Sequence, residues 1–148
     1  MKIKEKLQER LVYLAKKQIG KPYEYGAKLS KAPKIFDCSS FIQYIFKKIG
    51  IDLPRTTIEQ AHIGKAINLK NNKLRIGDLM FFRGTVGRYN PEFPQGVGHV
   101  VMYMGDNKII HAKWRKNKDG SDDGEIREES LGKSLKRKDL VIIKRILR

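Results

Sequence analysis

Apolar residues at Ile3, Leu7, Leu11, Leu14, Ala15 and Ile19 recur every three to four positions among Lys and Glu, so residues 3–19 are expected to form an amphipathic helix that stops at Gly20. Residues 21–34 show no period and carry two prolines, a glycine and two tyrosines, which reads as a loop. A second helical stripe of Cys38, Phe41, Ile42, Ile45 and Ile49 begins directly after Asp37, a residue type that caps helices, and closes at Gly50. A short third helix is expected around residues 56–61, with Thr56 or Thr57 as its cap and Glu59 or Gln60 in its first turn.

Beyond this point the pattern becomes that of strands. Residues 79–82 follow a Gly77-Asp78 turn, 99–104 are rich in β-formers, 108–112 follow a turn at 105–107, and 140–147 end the sequence. Residues 83–98, with four glycines and two prolines, and 113–130, mostly charged, are expected to be long surface loops. Helices first and strands second imply an α+β fold in which an antiparallel sheet packs on the helix that starts at Cys38. The 148 residues contain neither a repeat nor a linker, so one domain spanning residues 1–148 is expected.

Composition adds a partner class. Thirty-two Lys and Arg against 16 Asp and Glu give a net charge of +16, which suits an anionic polymer or surface and equally suits a solvated basic face. No nucleic-acid reader motif is present, and the basic N-terminal helix offers only Tyr13 as an interleaved aromatic, so specific nucleic-acid binding is not expected. The longest apolar stretch near the N-terminus, residues 11–15, is too short for a signal-peptide core, and no run reaches transmembrane length. The expectation is a monomer that is either the mature form of an exported protein or active where it is made.

The single cysteine excludes an internal disulfide and leaves chemistry as a reason to keep a thiol. At the start of a helix Cys38 would meet the positive end of the dipole and free N–H groups, which favour a thiolate; a small buried hydrophobe would occupy the same position. His99 starts an expected strand on the face of Val101 and Tyr103, from which it could project toward the Cys38 helix as a base, and His111 on the next strand could orient it. A two-residue turn at Asp106-Asn107 would pair His111 with Met102 and turn it away from His99. A three-residue loop restores the same face, still with about four residues, roughly 13 Å, between the two unless twist or a bulge closes the gap. Cys38, His99 and His111 nominally supply three zinc ligands, but the local spacings of zinc sites are absent, so neither a metal nor another cofactor is expected. His62 is expected to face solvent without a role.

Five segments in order then carry a resemblance: residues 20–26 (GKPYEYG), 36–41 (FDCSSF), 53–56 (LPRT) with Gln60, 74–82 (LRIGDLMFF), and 98–105 (GHVVMYMG) running on to 110–112 (IHA). Together they resemble the NlpC/P60 family. The resemblance implies a papain-like fold and hydrolysis of peptidoglycan stem peptides, commonly between D-γ-glutamate and a diamino acid, by a protein that is secreted or in the cell envelope, with the cytoplasm as the other possibility. It implies Cys38 as nucleophile, His99 as general base, His111 as the orienting residue, Tyr23 beside the thiol, and Asp37 and Ser39 lining the site. Ser40 and Ala27 stand where the family often has glycine. Acyl transfer or amidase chemistry on the same Cys-His-His site is an alternative, as is a non-catalytic basic module that binds wall polymer or nucleic acid.

Overall fold

The computed structural model describes residues 2–85 and 87–148, the side chain of Asp122 apart. Helix α1 (Ile3–Lys16) buries Leu11 and Ala15 completely and packs Leu7, Val12 and Leu14 against the core, whereas Ile3 and Ile19 are exposed. Ile19 lies past the last helical residue, in a turn that Gly20 leaves with a φ of 90°. Helix α2 (Cys38–Lys47) is the centre of the core, with Phe41, Ile42, Ile45 and Phe46 at 0% exposure. Burial of such side chains stabilises by about 1.5–3 kcal/mol each. Its start is fixed by a capping box. The Ser40 N–H donates to Asp37 Oδ1 at 2.8 Å, and the Asp37 N–H donates to Ser40 Oγ at 2.9 Å. Ser40, where the family often has glycine, thus holds the helix start. Helix α3 (Thr57–Gln60) is capped by Thr56.

Six strands, β1 (Lys65–Ala66), β2 (Leu79–Phe82), β3 (His99–Gly105), β4 (Lys108–Lys116), β5 (Asp122–Ser130) and β6 (Leu140–Arg145), form one antiparallel sheet in the order β1-β6-β2-β3-β4-β5, with α4 (Leu131–Leu135) between the last two in the chain. One face, carrying Leu79, Phe81, Val100, Met102, Ile110 and Ala112, packs on α2. The other carries Met80, Phe82, Val101, Ile109 and Ile143 in a second cluster with Leu131. This is the α+β arrangement expected, with the cysteine-bearing helix end against the sheet.

The expected loop at 113–130 is instead mostly strand. β4 continues to Lys116 and pairs with β5 over nine residues. Only Ile126 of β5 is a buried apolar side chain, so hydrophobic alternation could not reveal it; backbone pairing and cross-strand ion pairs such as Arg115–Asp123 and Lys108–Glu128 replace that signal. A Cβ on Gly124 would lie 2.0 Å from the Lys113 carbonyl oxygen, so β5 needs glycine there. The buried Asp78 carboxylate takes two bonds from Arg145, at 2.9 and 2.7 Å, which ties β6 to the turn before β2.

Candidate active site

Cys38 is the first residue of α2, and its position follows from what clamps that helix end. Arg55 donates to both carboxylate oxygens of Asp37 at 3.2 and 2.7 Å, to Ser39 Oγ at 2.9 Å and to the Ala27 carbonyl at 2.6 Å. Gln60 donates to the Ser39 carbonyl at 3.0 Å. Tyr23 is carried alongside by a bridge between its backbone and that of Phe36. These groups line a cleft of about 280 Å³ that contains Cys38, Tyr23, Asp37, Ser39, Arg55 and Thr57. Asp37 and Ser39, expected at the site, do line it, but both are engaged with Arg55. Their first task is to set the helix start.

The Cys38 thiol lies 3.5 Å from Thr57 Oγ1 and donates to the Gly98 carbonyl oxygen at 3.7 Å. His99 follows Gly98 directly, yet no hydrogen bond joins thiol and imidazole among the described residues. The expected projection of His99 toward α2 is corrected by the sheet. The positions of β3 that face α2 are Val100 and Met102, and His99 shares the opposite side with Val101 and Phe82, its ring 6.3 Å from that of Phe82.

The two histidines meet. His99 Nε2 and His111 Nδ1 are 2.8 Å apart, with ring centroids 5.0 Å apart at 69°. The hairpin does have the two-residue turn at Asp106-Asn107, both in the left-handed region with φ of 51° and 58°. The register shifts between Tyr103 and Gly105, however, so Met102 pairs with Ile110. That bulge returns His111 to the face of His99 and places it two ladder positions away, not four. His111 Nε2 in turn lies 2.5 Å from Glu129 Oε1.

Since a carboxylate only accepts, His111 Nε2 carries a proton toward Glu129. In neutral His111 Nδ1 is then an acceptor for His99 Nε2–H, and the unprotonated nitrogen of His99 is Nδ1, which makes no hydrogen bond among the described residues. The Glu129–His111–His99 chain therefore presents one basic nitrogen in a fixed tautomer. Burial, above all, pushes the His99 pKa well below its ordinary value, and the neighbouring His111 ring and Arg137 guanidinium act in the same direction. The hydrogen bond from His111 holds the Glu129 carboxyl well below the usual carboxylate range.

Burial likewise raises the Cys38 pKa; the Thr57 hydrogen bond opposes this and the Asp37 charge adds to it. Burial and the neighbouring Asp37 carboxylate thus act against the thiolate expected at the helix N-terminus. The arrangement pairs a neutral thiol with a neutral base.

Sequence reasoning missed three contributors. Glu129 sits in the stretch read as a loop, and its link to His111 exists only in the folded sheet. Arg55 and Thr57 fall in or beside a recognised motif without any signal of their contact with residues 37–39. His62 has a task as well. It lies 2.7 Å from Asn90, pairs with Glu92 and meets the ring of Phe93 edge-on, fastening the 83–98 loop to the end of α3.

Comparison with known proteins gives a consistent result. The profile of the NlpC/P60 family matches residues 20–144. The probable endopeptidase p60 of Listeria innocua is 34% identical over 103 residues, covering 70% of this chain and 19% of that protein. The murein DD-endopeptidase MepS/murein LD-carboxypeptidase of Escherichia coli K12 is 39% identical over 95 residues, covering 63% of this chain and 43% of its own. Among solved structures, an NLP/P60 family protein of Staphylococcus aureus, described as similar to lipoprotein, superposes with a TM-score of 0.72 at 27% identity, over 97% of this chain and 42% of that one. The chain spans less than half the length of each of these relatives.

Proposed function

Because the chain belongs to the NlpC/P60 family, we propose that it is a cysteine endopeptidase that hydrolyses peptidoglycan stem peptides. The observation that carries this reading is a lone cysteine at a capped helix start, opening into a cleft beside a histidine whose tautomer a second histidine and a carboxylate fix. His99 Nδ1 takes the Cys38 proton as the sulfur attacks the amide carbonyl. Backbone N–H groups of Val100 and Ser39, which face the sulfur, favour the thiolate as it forms, and Tyr23 offers its hydroxyl to the substrate or the oxyanion. The C–N bond breaks, His99 returns the proton to the departing amine, and water activated by His99 releases the acyl group and restores the thiol.

The bond we assign is that between D-γ-glutamate and the diamino acid. The name of the Escherichia coli relative favours a second reading, cleavage between a D-residue and the diamino acid of another stem. A secreted or envelope location, wall peptides as partners and an affinity of the +16 charge for anionic wall polymers belong to the same reading. The test is mass spectrometry of purified peptidoglycan fragments incubated with the wild type and with Cys38→Ser. New products ending in D-γ-glutamate, made by the wild type alone, are expected. Products cut only at the DD bond would move the assignment to the second reading, and identical products from both proteins would refute the peptidase.

A further inference from the structure

Helix α1 spends one side of itself in the core and leaves the other in solvent. Leu7, Leu11, Leu14 and Ala15 pack inward, while Ile3, Lys6, Arg10, Tyr13 and Lys17 are all exposed. These outer residues recur at alternating steps of three and four. At about 100° and about 1.5 Å per residue they form one ridge, within a sector of about 80° and about 21 Å long.

The ridge is cationic throughout. Lys6, Arg10 and Lys17 form no ion pair among the described residues. The acids of the helix, Glu5 and Glu9, fall with Lys16 on the neighbouring ridge. Two apolar side chains stand in line with the cations, Ile3 at 78% exposure and Tyr13 at 58%. The Lys17 ammonium sits 5.3 Å from the centre of the Tyr13 ring, so cation and aromatic share one place on the surface.

That combination discriminates between anionic partners. A linear phosphodiester polymer, whether wall polymer or nucleic acid, answers the cations but leaves Ile3 in water. The surface of an anionic bilayer answers both, with phosphates for the cations, the headgroup layer for Tyr13 and acyl chains for Ile3. Since the apolar stripe of α1 is already buried in the core, the helix rests on such a surface and does not sink into it.

We propose that this ridge of α1 docks the protein on an anionic phospholipid membrane. No residue of α1 lines the cysteine cleft or a second cavity, of about 460 Å³, that contains His99 and His111. Lipid on the ridge therefore does not compete with peptide for either. Docking of this kind is independent of the reaction at Cys38.

The test is cosedimentation of the full chain with vesicles of phosphatidylcholine, alone or with about 30% phosphatidylglycerol. Binding to the anionic vesicles is expected to be at least about tenfold tighter and to weaken as salt is raised. At about fivefold per cation, Lys6→Gln/Arg10→Gln/Lys17→Gln should weaken it about 100-fold. Lys70→Gln/Lys118→Gln/Lys136→Gln, which removes the same charge from exposed lysines elsewhere, should weaken it less than about threefold. Ile3→Ser/Tyr13→Ser should cost about tenfold on vesicles and less than about twofold on soluble inorganic polyphosphate, which has no apolar layer. All the substituted side chains are exposed, so urea midpoints should match the wild type. Equal losses in the two triple variants would mean diffuse charge, and vesicle binding unchanged in Ile3→Ser/Tyr13→Ser would mean a site for soluble polyanions. Either result overturns the membrane surface.

Discussion

Glu129→Ala removes the carboxylate that fixes the tautomer of His111 and, through it, of His99. The substitution breaks a charge-assisted hydrogen bond of 2.5 Å, made by a carboxylate whose side chain is 11% exposed. Bonds to charged groups contribute about 1.5–3 kcal/mol. At about 1.4 kcal/mol per factor of ten, kcat should fall by about 10- to 100-fold as His111 populates the wrong tautomer. KM should hardly change, because Glu129 lines neither cavity. The ion pairs of Glu129 with Lys113 and Lys133, at 3.4 and 3.3 Å, involve well exposed ammonium groups and add little. Glu129→Gln keeps the shape and can still accept from His111 Nε2–H through Oε1, without the charge, so it should fall between wild type and alanine. Steady-state kinetics on a stem peptide, with nitrogen-15 spectra of the imidazoles to read both tautomers, make the assay. A kcat within about twofold of wild type, or unchanged tautomers in both variants, would refute the relay.

Further outcomes follow from the same geometry. With the His99 pKa pushed well below 6.5, kcat/KM should hold its plateau below that pH and fall only as the depressed pKa is crossed; an acid limb centred at or above 6.5 would contradict a buried neutral base. Cys38, raised above the ordinary thiol value of 9.0, should be alkylated by iodoacetamide with a midpoint above that pH, and rapid reaction near neutrality would show that burial does not dominate at the sulfur. Asp78→Ala leaves the Arg145 guanidinium buried without its partner, so urea denaturation should register a loss of about 3–5 kcal/mol, against less than about 1 kcal/mol if the pair is idle.

The contrast between α2 and β5 shows what the sequence could reveal. The helix was legible because Asp37, the apolar stripe from Cys38 and Gly50 are local signals that agree with one another. Strand β5 has a single buried apolar side chain and is held by its neighbour, so nothing in its own pattern identifies it. Cys38, His99 and His111 could be named from motif order, but the contact between the histidines could not, since it depends on one extra residue in the hairpin at Met104. Glu129 and Arg55 were invisible for the same reason. Each acts through a partner at least 16 residues away in the chain, and spacing holds no record of that contact.

The most direct test of the proposed chemistry is to catch the acyl group on Cys38. A stem peptide is mixed with wild-type protein, the reaction is quenched in acid within a turnover, and the intact mass and the peptide carrying the adduct are determined. The expected result is an added mass equal to the acyl part of the substrate, mapped to Cys38 and absent from Cys38→Ala. Product formation with no adduct at any time of quench, or an adduct on another residue, would contradict it.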